Sequence, residues 1–206
     1  MNFYLRLLLV LFLASLMGSC EVVLTTPTPP PGWRSPVYQM LVDDSIFPQD
    51  WFVLFPEDTS TDPTTNHVGR RWGHVSGAKA EQAIWRAYTI SDAEAKYDSL
   101  RNSQFQPSQP LYPGTIFVEF KPPTEISFQS QIADEFHLAC GWWRWAYCEV
   151  VARYRNYVVD IRMDLQAEHE GVHSDGLPYE EIEKIVAAMD AKFAGGLDTL
   201  PTPAPR

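Results

Sequence analysis

The sequence predicts a single α+β domain, an antiparallel sheet with a C-terminal amphipathic helix and a second, shorter helix packed on it. Three observations carry that expectation. Between Glu135 and Leu165 three runs rich in aromatic and β-branched residues are joined by short connections, as in a meander of strands. Near the C-terminus Ile182, Ile185, Val186, Met189 and Phe193 fall on one helical stripe. In the middle, Ala93, Tyr97 and Leu100 form a shorter stripe of the same period.

The first 36 residues belong to no such element. Arg6 supplies a positive start, Leu7 to Leu16 is an apolar run too brief to span a membrane, and Gly18 and Ser19 lead into Cys20. Met17-Gly18-Ser19-Cys20 resembles the bacterial lipoprotein signal, with Met17 where Leu is usual. That resemblance implies that residues 1–19 are a signal peptide removed by cleavage. Cys20 then becomes the N-terminus and carries diacylglycerol and an amide-linked acyl chain such as palmitate. Buried methylenes at roughly 0.8 kcal/mol each make this a stable membrane anchor. An ordinary secretory signal is the alternative, and both readings place the domain outside the cytoplasm. Cys20 to Pro36 contains Thr-Thr-Pro-Thr-Pro-Pro-Pro-Gly, a stiff, extended tether that holds the domain off the membrane.

Residues 37–195 are enough for one domain with its own core, and 196–206, with three prolines, form a tail poor in packing residues. The formal net charge of -10 repels phosphate backbones and excludes nucleic acid as a natural partner. It also disfavours anionic lipid, so the lipid anchor is the expected membrane contact.

In chain order, Met40 to Val42, Ile46 to Pro48 and Trp51 to Phe55 are apolar clusters broken by Asp43, Asp44, Ser45 and prolines, which favours short strands or turns. Pro56 to Asn66 is turn chemistry throughout. Val68 to Val75 and Gln82 to Ile90 read as strands. In the second, Ile84, Arg86, Tyr88 and Ile90 share one face and Ala83, Trp85 and Ala87 the other. Ser91 starts the shorter helix, with Glu94 at capping-box spacing and Asp92 paired to Lys96, and the helix ends near Asn102. Thr115 to Phe120 is apolar enough for an interior strand, stopped by Pro122-Pro123. Ile126 to Ile132 reads as a short strand or a helical turn.

The meander follows: a strand ending at Cys140, one from about Trp145 to Arg153, and one from Tyr157 to Leu165, the last two joined at Tyr154-Arg155-Asn156. In the third, Tyr157, Val159, Ile161 and Met163 face the core while Asp160, Arg162 and Asp164 face water. Gln166 to Pro178 reads as a loop. The last helix has Glu180, Glu181 and Glu183 at its start, Lys192 near its end, and Gly195-Gly196 placed for a cap.

Three groups of residues invite chemistry. Cys140 and Cys148 are an even pair in an oxidising compartment, set symmetrically about Arg144, and read as a structural disulfide rather than a redox-active pair, whose Cys-X-X-Cys spacing they lack. Trp142, Trp143 and Trp145 offer indole surface for a ligand or for closing the core; in extended chain Trp143 and Trp145 share a face and Trp142 opposes them. His169-Glu170-Gly171-Val172-His173 matches H-E-x-x-H, in which a helix presents both histidines to zinc and the glutamate acts as general base. Here strand-like residues precede it, Gly171 lies inside it and the helical context is missing, so a polar loop is the expectation. No hydrolase elbow, phosphate-binding loop or dinucleotide fingerprint is present, and the residues call for no cofactor.

Ala152-Arg-Tyr-Arg-Asn-Tyr-Val-Val159, an acidic loop, and Leu177-Pro-Tyr-Glu-Glu-Ile-Glu-Lys-Ile-Val186 resemble the extracytoplasmic sensor domain of PknH-type mycobacterial serine/threonine kinases and related lipoproteins. The resemblance implies an antiparallel sheet with helices on it and a cleft for a ligand or partner. Those sensor domains carry two disulfides, and this chain has cysteines for one. The functional expectation is a lipid-anchored module that binds a small ligand or an envelope protein, without catalysis. The rivals are a zinc-dependent hydrolase using His169, Glu170 and His173, and an accessory subunit of a membrane complex.

Overall fold

The computed structural model describes residues 37–55, 66–104 and 117–197. The expected signal peptide, Cys20 and the expected tether, residues 56–65 and 105–116, and the residues from 198 lie outside them. Seven strands form one sheet: β1 (Trp51–Phe55), β2 (His67–His74), β3 (Lys79–Arg86), β4 (Phe117–Lys121), β5 (Glu135–Trp143), β6 (Trp145–Tyr154) and β7 (Tyr157–Asp164). Their spatial order is β1-β2-β3-β7-β6-β5-β4, and every neighbouring pair is antiparallel. The expected α+β class is therefore observed. Two meanders, β1-β2-β3 and β5-β6-β7, join along β3 and β7.

Helices cover both faces. Helix α1 (Ile90–Gln104) lies over β6 and β7 and buries Ala93, Tyr97 and Leu100 against Val151 and Val158. Helix α2 (Tyr179–Leu197) covers the opposite face, joined there by short 3-10 helices at Val37–Met40 and Asp44–Ile46. Its stripe of Ile182, Ile185, Val186, Met189 and Phe193 is wholly buried, each residue 0% exposed. Burying a side chain of that size contributes roughly 1.5–3 kcal/mol. Because α1 and α2 sandwich the middle of the sheet, β6 is buried at every residue from Ala146 to Tyr154. That explains why its sequence shows no clean apolar and polar alternation.

Several local expectations are corrected. Helix α1 is capped by Thr89, whose hydroxyl accepts the Asp92 N–H at 3.0 Å, two residues before the expected Ser91. Helix α2 continues through Gly195 and Gly196 to Leu197 instead of ending there. A Cβ on Gly196 would stand 2.7 Å from the end of the Met40 side chain, which would have to shift to admit it. Strand β4 is an edge, not an interior strand: Val118 and Glu119 are exposed, and Lys121 and Glu119 make an outward ion pair at 3.0 Å that blunts further pairing. Residues 126 to 132 are neither strand nor helix. They are held by side chains of α2: Glu183 accepts from the Ser127 N–H and hydroxyl at 2.9 and 2.8 Å, and Asp190 accepts from the Ser130 hydroxyl.

The expected loop after β7 contains a hairpin, β8 (Ala167–His169) and β9 (Val172–Ser174). Its turn residues Glu170 and Gly171 have φ of 51° and 78°, the left-handed pair of a tight two-residue turn. Asn or Asp is usual where Glu170 stands, and that departure hides the turn in the sequence. The hairpin is tied back to β7 by the Leu177 N–H donating to the Asp164 carbonyl at 2.9 Å. Gly176 permits that approach, since a Cβ there would meet Asp164 backbone at 2.4 Å.

Cys140 and Cys148 face each other across β5 and β6 and form a disulfide with Cα atoms 4.0 Å apart, inside the limit of about 7 Å. Replacing both by alanine is expected to lower unfolding free energy by about 2–3 kcal/mol, the loop-closure entropy of so short a ring. Urea denaturation of the oxidised chain and the double variant measures it. Coincident curves would show that the hairpin needs no staple.

Candidate functional site

Strand alternation sorts the three tryptophans as expected. Trp142 lies on the α2 side, 3% exposed, with its ring centroid 5.9 Å from that of His169. It closes one end of the core. Trp143 and Trp145 are register partners across the hairpin tip, so they share the opposite face. Arg144, at φ 68°, makes the turn between them. Trp143 is half-buried, while Trp145 remains 44% exposed.

Helix α1 covers only part of the face on which Trp145 stands. Beyond its reach, Tyr147 and Glu149 on β6 and Arg162 and Asp164 on β7 form a polar end to the sheet, with Asp160 next along β7. The Arg162 guanidinium lies 3.7 Å from the centre of the Tyr147 ring and 6.0 Å from that of Trp145. Asp164 accepts the Lys79 N–H at 2.9 Å and is hydrogen-bonded to Trp145. Burial raises the Asp164 carboxyl above its ordinary value, opposed by that Lys79 bond and by the positive charges of Arg162 and Lys79. The indole is thus anchored at its polar edge, with the Arg162 guanidinium over one face and 44% of the residue still exposed.

Two cavities flank Trp145. One, of about 200 Å³, is lined by Lys79, Ala80, Glu81, Arg162 and Asp164; the other, of about 300 Å³, reaches the turn at Ser76 and Gly77 and the β9 residues His173 and Ser174. Trp145, Lys79 and Asp164 belong to both. Together they make one cleft with an aromatic wall and charges of both signs.

Beneath this cleft Glu149 is 1% exposed, and its Oε2 has no hydrogen-bond partner among the described residues. Burial, above all, pushes its carboxyl up to about 9; the negative charge of Asp160 and a hydrogen bond with it act in the same direction, and Arg162 opposes them.

The H-E-x-x-H residues sit elsewhere than a zinc protease would place them. His169 ends β8, Glu170 and Gly171 form the turn, and His173 lies on β9. Since His169 is paired with Val172, the next residue, His173, projects from the other face of the ribbon. His173 Nε2 lies 3.2 Å from a carboxylate oxygen of Asp175, and His169 lies against Trp142. Among the described residues, no three His, Cys, Asp or Glu side chains are grouped as a metal site requires. The hairpin separates two residues that a helix would have brought together.

Sequence reasoning singled out the tryptophans but missed Lys79, Arg162 and Asp164 as their companions. One signal was present: the charged Glu149 stands in the otherwise apolar run from Ala146 to Ala152, which points to a polar cluster inside the sheet. No family model, no curated protein and no solved structure matches the chain.

Proposed function

We propose that this chain is a lipid-anchored extracytoplasmic binding module that takes a small saccharide-like ligand in the cleft at Trp145. The observation that supports it is a half-exposed indole, fixed at one edge by Asp164, between two cavities that share Lys79 and Asp164, the smaller of them lined also by Arg162. An indole face suits the apolar face of a sugar ring, and flanking carboxylate, ammonium and guanidinium groups suit its hydroxyls or an acidic substituent. The lipoprotein-like start of the chain supports the setting, because an anchored domain on a proline-rich tether stands among the glycans of the cell envelope.

Titration calorimetry of the purified chain with soluble N-acetylglucosamine oligomers and uronic-acid oligosaccharides tests this reading. Saturable binding is expected for at least one series, and Trp145→Ala is expected to weaken it tenfold or more, since a stacked aromatic anchor is worth about 2 kcal/mol. Trp142→Phe, on the opposite face, should leave it unchanged. No saturable binding by the unaltered chain would remove the saccharide class, and equal binding by the Trp145→Ala variant would remove the cleft.

A further inference from the structure

Three side chains stand in line leading away from the larger cavity, of which Ser76 alone lines it. Asp50, the residue before β1, lies with Oδ2 2.7 Å from Nε2 of His74, the last residue of β2. On the other side of the ring, His74 Nδ1 lies 2.8 Å from the hydroxyl of Ser76 in the β2–β3 turn. The backbone fixes the proton assignment. The Ser76 N–H donates to His74 Nδ1 at 3.2 Å, so Nδ1 is the ring's acceptor and the proton sits on Nε2, where Asp50 accepts it. With Nδ1 an acceptor, the Ser76 hydroxyl is oriented to donate to it. The carboxyl of Asp50 is held below its ordinary value, chiefly by the hydrogen bond with His74.

Hydroxyl, imidazole and carboxylate are thus linked in the order that acyl transfer uses, with the ring nitrogens exchanged relative to the usual triad: Nδ1 faces the hydroxyl and Nε2 the carboxylate. The ring itself is steadied by the Trp51 indole, whose centroid is 5.8 Å away. Ser76 is not turned into bulk solvent alone, because it lines the same cavity as Trp145, Lys79 and Ser174. A turn that served only to join β2 to β3 is already closed by backbone, through Gly77 N–H donating to the His74 carbonyl and His74 N–H to the Ala78 carbonyl, both at 2.9 Å. The side-chain line is additional to it.

We propose that Ser76, with His74 as general base and Asp50 as its orienting carboxylate, is a nucleophile toward esters seated in the cleft. Ser76 Oγ would bond to the ester carbonyl carbon as its proton passes to His74 Nδ1. Collapse of the tetrahedral adduct breaks the bond to the alcohol oxygen, which leaves with that proton, and an acyl group remains on Ser76. Water, deprotonated by His74, then releases the acid and restores the hydroxyl.

The same turn limits the rate. Gly77 N–H is committed to His74, and Ala78 N–H points at Ser76 Oγ at 3.5 Å, so neither is poised for the oxyanion. A missing oxyanion donor costs about 10²–10³ in rate, which restricts the chemistry to esters with good leaving groups and excludes amides.

The test is reaction of the purified chain with a fluorophosphonate and, separately, with 4-nitrophenyl acetate, read by intact-mass and peptide mass spectrometry and by nitrophenolate release. One phosphonyl group is expected on Ser76. Ser76→Ala should abolish it, and His74→Gln should slow it at least 100-fold, within the 10²–10⁴ range of a general base. Asp50→Asn should slow it less, and all three variants should melt within a few degrees of the unaltered chain. Labelling does not need the sugar ligand, so it stands apart from the binding experiment. An unlabelled Ser76 in the unaltered chain, or labelling at an undiminished rate in a folded His74→Gln or Asp50→Asn variant, would overturn the proposal.

Discussion

Phe193→Ala is expected to lower unfolding free energy by about 3–5 kcal/mol, the range for removing a large aromatic side chain from a well-packed core. Phe193 is 0% exposed at the C-terminal end of the α2 stripe. Its ring stacks on Tyr154 with centroids 4.3 Å apart and planes 8° apart, and meets Tyr157 edge-on at 5.9 Å. Such ring pairs add about 0.5–1.5 kcal/mol beyond the area they bury. The site also resists collapse, because Tyr154 is held from its far end by a hydrogen bond of 2.9 Å to Asp190. Asp190 in turn accepts the Ser130 hydroxyl and so anchors the irregular segment between β4 and β5. A domain with about 5–15 kcal/mol in hand would lose a large share of it. Urea denaturation should show a lower midpoint with an unchanged slope, and Phe193→Leu should cost less than half as much. A loss below about 1 kcal/mol for the alanine variant would mean that α2 is not the principal cover of the sheet.

What was legible in the sequence follows the strength of its periodicities. The α2 stripe, the α1 stripe and the three-strand meander are each encoded in residues close in the chain. The Cys140–Cys148 bridge was legible for the same reason, since a hairpin makes facing positions from a count of residues. Edge or interior position was not, because it depends on partners far away in sequence: apolar β4 lies at the margin, and β3 is interior because β7 pairs with it. The β8–β9 turn was hidden by Glu170 in a conformation that Asn or Gly would have announced. The cleft was half legible. Trp145 could be placed on a face by alternation, but Lys79 reaches it from a strand more than sixty residues earlier. His74 and Ser76 are neighbours at the β2–β3 turn, but Asp50 lies 24 residues before His74, and only the pairing of β1 with β2 sets those two together.

Glu149→Gln is expected to stabilise the chain at alkaline pH by about 2–4 kcal/mol while changing little at pH 5. The unaltered carboxyl is pushed up to about 9 in the folded chain, first by burial and then by Asp160. In the unfolded chain it ionises near 4.3. Between those values the folded state keeps a proton that the unfolded state has released, so stability is greatest below the unfolded value and falls as pH rises towards 9. Each pH unit in that window costs up to about 1.4 kcal/mol, and relaxation around the site reduces the total. Glutamine keeps the shape and carries no titrating proton, and its amide donates where the carboxyl hydrogen did. The variant's advantage should therefore grow from pH 5 to pH 8, and an advantage that is absent or constant across that range would refute the buried, protonated carboxyl. The same proton bears on the cleft. Arg162 is the register partner of Glu149 and lies over Tyr147, so a neutral Glu149 leaves the guanidinium charge less compensated from below and available to a ligand in the cavity it lines. In the glutamine variant that availability persists at every pH, and saccharide binding that weakens at alkaline pH in the unaltered chain should no longer do so.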